Sequence, residues 1–180
     1  PSFADDAAGL LRMAIRSEGP TMFMEPKALY QNPKAATVVP EDFIVPFGKA
    51  RIRRKGADLT IITYGNTTHF SLDAAEKLSE EGFDVEVIDL RSLIPLDEET
   101  MLNSVMKTNK VLVAHEDKVF GGFGGELSSI ITEKAFHYLD APVKRVGSTF
   151  TPVGFNTILE RAILPDTQRI YNAAKELLLF

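Results

Sequence analysis

Three adjacent residues, His115, Glu116 and Asp117, are the densest chemistry in the chain, and "KVFGGFGGELSS" follows directly. A histidine beside two carboxylates can move a proton or hold a metal ion. Glycines that open a helix expose backbone amides, which suit an anion. The dinucleotide fingerprint G-x-G-x-x-G fails, because the sixth position counted from Gly122 is Leu127, and G-x-x-x-x-G-K-[ST] is absent too. Successive side chains on a strand point to opposite faces, so His115, Glu116 and Asp117 are not expected to converge on one atom. Phe120 and Phe123 flank the glycines and favour a tight turn against a neighbouring domain or subunit over a phosphate site. Asp89 and Arg91 follow another apolar run, where either a ligand contact or an ion pair fits. His69 and His137 fall on predicted helices and read as ordinary surface or half-buried histidines. Neither H-E-x-x-H nor G-x-S-x-G occurs. These residues alone give a plausible site edge and no assembled catalytic set.

The elements that position them follow from periodicity. Residues 4–16 place Ala7, Leu10, Leu11, Ala14 and Ile15 at helical spacing, with Asp5 and Asp6 at the start and Arg16 at the end. "TMFMEP" (21–26) reads as a short strand, and prolines 26, 33, 40 and 46 forbid a continuous helix up to a strand near 47–54. Further strands are expected at 58–65, 83–93, 109–116 and 141–148, with helices at 68–81, 97–108, 124–138 and 167–178. Strands alternating with helices predict an α/β fold: three layers, α/β/α, around a mostly parallel sheet. The opening helix and strand cannot enclose a core, so they must pack on something else.

Composition narrows the classes. Of 180 residues, 44% are hydrophobic and 25% charged, a balance that argues against disorder. The net charge of −5 and the lack of any basic block beyond "RIRRK" argue against a nucleic-acid-binding face. That block reads as a solvated strand or turn. No cysteine is present, which excludes disulfides, thiolate zinc sites and cysteine nucleophiles. No apolar run is long enough to cross a membrane. "PSFADDAAG" has no signal-peptide pattern and starts one residue before a helix, which reads as a cut within a longer chain.

Several strings in order, "DAAGLLRMAIRSEGPTMFMEPKALY", "VPFGKARI", "DLTIITYG", "VEVIDLRSLIPLD", "SVMKTNKVLVAHED", "GGFGGELSSII", "YLDAPVKRVGS" and "LERAILP", resemble the beta subunit of the thiamine-diphosphate-dependent dehydrogenase component of 2-oxo acid dehydrogenase complexes. The resemblance runs along essentially the whole chain and corresponds to the C-terminal half of such a subunit. "MEPKALY" and "HEDKVFGGF" lean towards the branched-chain enzymes over the pyruvate ones. It implies a division into residues 1–32, the tail of an upstream pyrimidine-binding domain; 33–50, a linker; and 51–180, a transketolase C-terminal domain. Rival readings are another transketolase-like enzyme, such as deoxyxylulose phosphate synthase, and a free-standing α/β interaction or nucleotide-binding module.

The family resemblance implies that thiamine diphosphate and magnesium are held elsewhere, by an upstream domain and an alpha subunit or fused alpha region. No catalytic or cofactor-binding residue is therefore expected here. Gly121, Gly122, Phe123 and Gly124 are expected at the contact with a second beta subunit. Phe180 is expected where the subunit-binding domain of the acyltransferase component docks. Some members hold potassium in the turn after the first helix, here Ala14, Ile15, Ser17 and Gly19. Family Asp and Asn ligands are replaced by Ser17 and Gly19, so this chain is expected to hold potassium poorly. Bacterial cytoplasm is the expected compartment.

Overall fold

A computed structural model describes all residues, 1–180. The chain opens with α1 (Ala4–Arg16), whose first turn carries Asp5 and Asp6 and whose last carries Arg16, as the helix dipole favours. Residues 21–26 form no strand: "TMFMEP" finds no ladder partner, and a strand is defined by its pairing rather than its propensity. The proline-rich stretch instead contains two single 3₁₀ turns, Lys27–Leu29 and Pro33–Ala35.

The sheet has five strands: β1 (Arg51–Arg54), β2 (Leu59–Thr63), β3 (Val85–Asp89), β4 (Val111–Lys118) and β5 (Lys144–Ser148). Their spatial order is β1-β3-β2-β4-β5. All neighbours are parallel except β1, which pairs antiparallel with β3 at one edge. Every residue of β2 and β3 is buried, Thr60, Thr63, Glu86 and Asp89 included, as in parallel strands covered on both faces.

Helices α2 (Thr67–Glu80) and α6 (Thr167–Leu178) cover one face. Ala74, Ala75 and Leu78 of α2 meet Ile170, Ala174 and Leu177 of α6 over Ile61, Val87 and Leu112. Helices α3 (Glu98–Thr108) and α4 (Gly124–Ala135) cover the other face. Met101 and Val105, with Leu127 and Ile131, pack there on Ile62, Ile88 and Val113. The three-layer α/β/α expectation holds. The helix expected at 124–138 is α-helical to Ala135 and ends in a 3₁₀ turn, Phe136–Tyr138. A short helix not anticipated from sequence, α5 (Thr157–Ile163), buries none of its residues. Its apolar positions, Ile158 and Leu159 among them, lie exposed.

Charge fixes the opening helix to the sheet. The buried Asp6 carboxylate pairs with the guanidinium groups of Arg53 and Arg91, and Arg53 also pairs with Asp89 at 2.8 Å. "RIRRK" is therefore not simply a solvated run. Arg53 is nearly dry, lies over the Phe3 ring at 4.0 Å, and balances two buried carboxylates. His69 is buried as well, contrary to its expected half-exposure: its Nε2 is 2.7 Å from the Ser2 carbonyl and its ring leans on Phe3.

Candidate functional site

Strand order reverses between β2 and β4. The chain leaves β2 through α2 on one face and β4 through α4 on the other. Open α/β sheets bind ligands at the carboxyl ends of two such strands. Here those ends carry Tyr64, Gly65 and Asn66 after β2, and His115, Glu116 and Asp117 on β4.

A bulge interrupts the β4–β5 ladder at these residues. Ala114 pairs with Val146 and Lys118 with Ser148, four steps along β4 for two along β5. His115 and Asp117, two residues apart, share one side as strand alternation requires, and Glu116 takes the other. A Cβ built on Gly122 would lie 3.0 Å from His115 Cε1 and 3.1 Å from Asp117 Oδ2. Glu116 instead sits 3.5 Å from the Asn66 amide across the crevice, and the Ser148 hydroxyl donates to its carbonyl. Two of the three residues come together, as strand alternation allows, and the third does not. They form no metal centre: no group of three or more His, Asp or Glu side chains is placed to hold an ion.

His115 is fully buried, and neither ring nitrogen has a hydrogen-bond partner. Its ring lies parallel to Tyr64 with centroids 6.3 Å apart, and Tyr64 in turn meets the edge of Phe123. Three glycines make room for it. A Cβ on Gly124 would overlap the imidazole at Nε2, and one on Gly147 would come within 3.1 Å of Cε1. Burial holds the imidazole below its ordinary pKa, the Asp117 carboxylate opposes this, and Arg145 adds to it. Burial, and then Asp117, push the Tyr64 phenol up to about 12.

The glycine run therefore has an internal cause. Gly122 and Gly124 are buried, and they accommodate an imidazole of the same chain. Gly121 has φ +75° and is exposed, as is Phe120, whose ring meets Phe150 edge-on at 4.8 Å. Sequence spacing could have flagged this: a histidine seven and nine residues before two glycines matches a strand, turn and helix that fold back over it.

Asp89 and Arg91 are occupied by each other and by α1. The Arg91 backbone N–H donates to Asp89 Oδ1, and its guanidinium reaches Asp6 at 2.9 Å and the carbonyls of Lys49 and Ala50. This is the ion pair of the two readings left open. After α1, the Ser17 hydroxyl donates to the Ala14 carbonyl at 2.9 Å and lies 3.4 Å from the Gly19 carbonyl. With the Thr21 hydroxyl at 3.2 Å from that of Ser17, four oxygens gather there with no carboxylate, and the Ile15 side chain is exposed. That donor set, already hydrogen-bonded to itself, fits a hard cation poorly. Phe180 is 74% exposed at the end of α6, beside an exposed Leu179, whereas Leu177 is buried.

The chain is 40% identical to "Pyruvate dehydrogenase E1 component subunit beta, mitochondrial" of Dictyostelium discoideum, covering 97% of this chain and 50% of that protein. It is 39% identical to "2-oxoisovalerate dehydrogenase subunit beta" of Bacillus subtilis (strain 168), covering 98% of this chain and 54% of that one. The chain thus spans about half the length of these curated relatives. Among solved structures, "Split gene transketolase, inactive beta4 tetramer" superposes with a TM-score of 0.68 at 29% identity, over 78% of this chain and 47% of the other. The family profile "Transketolase, C-terminal domain" matches residues 48–170, from just before β1 into α6, and the chain belongs to that family.

Proposed function

We infer that this chain serves a thiamine-diphosphate-dependent 2-oxo acid dehydrogenase as the assembly-bearing part of its beta subunit. The complete enzyme decarboxylates a 2-oxo acid oxidatively and passes the acyl group to a lipoyl domain. The supporting observation is likeness along 97% and 98% of the chain to beta subunits of both the pyruvate and the branched-chain enzymes. The geometry fits an assembly role, because Asp89, Arg91 and Glu116 at the carboxyl edge are engaged within the chain. Residues 1–32 belong, in this reading, to the end of a pyrimidine-binding domain, 33–50 to a linker, and 51–180 to the transketolase C-terminal domain. Thiamine diphosphate and magnesium are held by the upstream region and an alpha subunit or fused alpha region. Potassium, where the family uses it, would meet Ala14, Ile15, Ser17 and Gly19.

Three partners follow from the same reading: the alpha subunit, a second beta subunit and the subunit-binding domain of the acyltransferase component. Gly121 and Phe123, rather than the buried Gly122 and Gly124, present the turn to the second beta subunit, and Phe180 faces the acyltransferase. No helix is long and apolar enough to cross a membrane, and a bacterial cytoplasmic setting is proposed. The test is to express the complete subunit with its cognate alpha subunit and lipoyl domain and to follow acylation with pyruvate and with 2-oxoisovalerate. Acylation of the lipoyl domain by one of them is expected. A complex that forms and acylates with neither would overturn the assigned reaction.

A further inference from the structure

The carboxyl edge of β4 contains a group with no structural partner. His115 could be replaced by an apolar residue without losing a hydrogen bond, since both ring nitrogens are unpartnered in a fully buried site. Leaving them so costs free energy that a leucine would not. Yet three separate glycines, on the turn, on α4 and on β5, are shaped around the imidazole. The turn between β4 and α4 is thus built on a group that can gain a charge.

We propose that His115 is a proton-operated latch: neutral, it holds the turn from Val119 to Phe123 closed over the end of β4, and protonated, it drives that turn open. Each element around the ring bears on this. From the β2 side comes Tyr64, neutral and stacked, with no charge to offer. β4 itself supplies Asp117, whose carboxylate first and backbone second favour a charged imidazole. That carboxylate is exposed and already accepts the Lys118 N–H at 2.7 Å. β5 supplies Arg145, which repels a second positive charge. From α4 come only Gly124 and the backbone of its first turn. A proton on His115 therefore enters a dry site whose aids are the exposed Asp117 carboxylate and the Asp117 backbone, opposed by Arg145, and it is better solvated with the turn open. Opening would also part Phe120 from Phe150, so protons would control an apolar lip on the surface.

The test is amide hydrogen exchange of residues 119–124 in the intact chain between pH 7.5 and 5, corrected for the intrinsic pH dependence of exchange. Protection of the turn should fall by up to about tenfold per pH unit below the ordinary histidine value of about 6.5, while that of β2 and β3 holds. In His115→Leu the fall should vanish. Persistence of the same fall in that variant, or no fall in the parent, overturns the proposal. Should His115→Leu not fold, Asp117→Asn decides. Without the favourable carboxylate, protection should keep falling at pH values where the parent has levelled off. An unchanged profile would overturn the latch.

Discussion

Asp6, on the first turn of α1, accepts a 2.9 Å hydrogen bond from the guanidinium of Arg91, 85 positions further on. With Arg53 and Asp89 they make a buried set of two carboxylates and two guanidiniums that ties the start of the chain to the ends of β1 and β3. Asp6→Ala would leave Arg53 paired with Asp89 alone and the Arg91 guanidinium with only the Lys49 and Ala50 carbonyls. Unfolding in urea should then show a loss of about 3–5 kcal/mol, as for one partner taken from a buried pair. A loss under about 1 kcal/mol would mark it as no stronger than a surface pair.

Neighbouring glycines on α4 should respond oppositely. Gly124→Ala forces a methyl into the His115 ring and should destabilise the chain by about 1–3 kcal/mol. The Cβ of Gly125→Ala would meet only the flexible end of Arg145, at 3.3 Å, and alanine suits a helix better than glycine. Thermal melting should show that variant unchanged or slightly stabilised. Adding His115→Ala should recover most of the Gly124→Ala loss. An additive double variant would mean that the two residues do not press on each other.

Asp97 caps α3, accepting from the Thr100 N–H at 3.1 Å, the Thr100 hydroxyl at 2.8 Å and the Ala50 N–H at 2.9 Å. Burial alone would raise its pKa, but these hydrogen bonds outweigh burial and hold the carboxyl below its ordinary value. Its folded pKa is depressed. Its contribution is therefore complete above the unfolded value, about 3.9, and is lost as pH falls through the lower folded one. Asp97→Ala should cost about 1 kcal/mol or somewhat more at pH 7. The difference from the parent should shrink in urea titrations taken progressively below pH 4.

Docking at the C-terminus can be measured in the complete enzyme. Deleting Phe180 should weaken binding to the cognate subunit-binding domain by about 1.5–3 kcal/mol if its carboxylate meets a basic residue there. Equal affinities, with the circular dichroism spectrum retained, would remove Phe180 from the docking surface.

Calorimetric titration of this 180-residue chain with thiamine diphosphate and magnesium should give no binding heat. A micromolar dissociation constant, about −8 kcal/mol, would place a cofactor site within these residues.

Most of the fold was legible because its signals are local. The alternation of β2 through β5 with α2, α3, α4 and α6 follows from apolar periodicity and from Gly and Pro breaks, which neighbouring residues alone decide. The ends of α1 and α6 could be read from Asp5, Asp6 and Arg16 and from the leucines near the C-terminus. The supposed strand at 21–26 and the missing α5 mark the limit: one needed a partner strand that never comes, and the other has no buried face.

The sequence by itself determined the three-layer α/β/α class, the elements that bear His115, Asp89 and the glycine turn, and the family. Only the tertiary structure decided what those residues touch. The bulge in β4, which periodicity does not announce, interrupts its ladder with β5 beside His115 and Asp117. Packing over that bulge enclosed His115 among Gly122, Gly124 and Gly147, the last of them 32 positions away by number and on another strand. Desolvation and ion pairing depend on groups brought together from distant segments. That is why Arg53, an apparent surface residue in "RIRRK", became a buried counter-ion to Asp6 and Asp89.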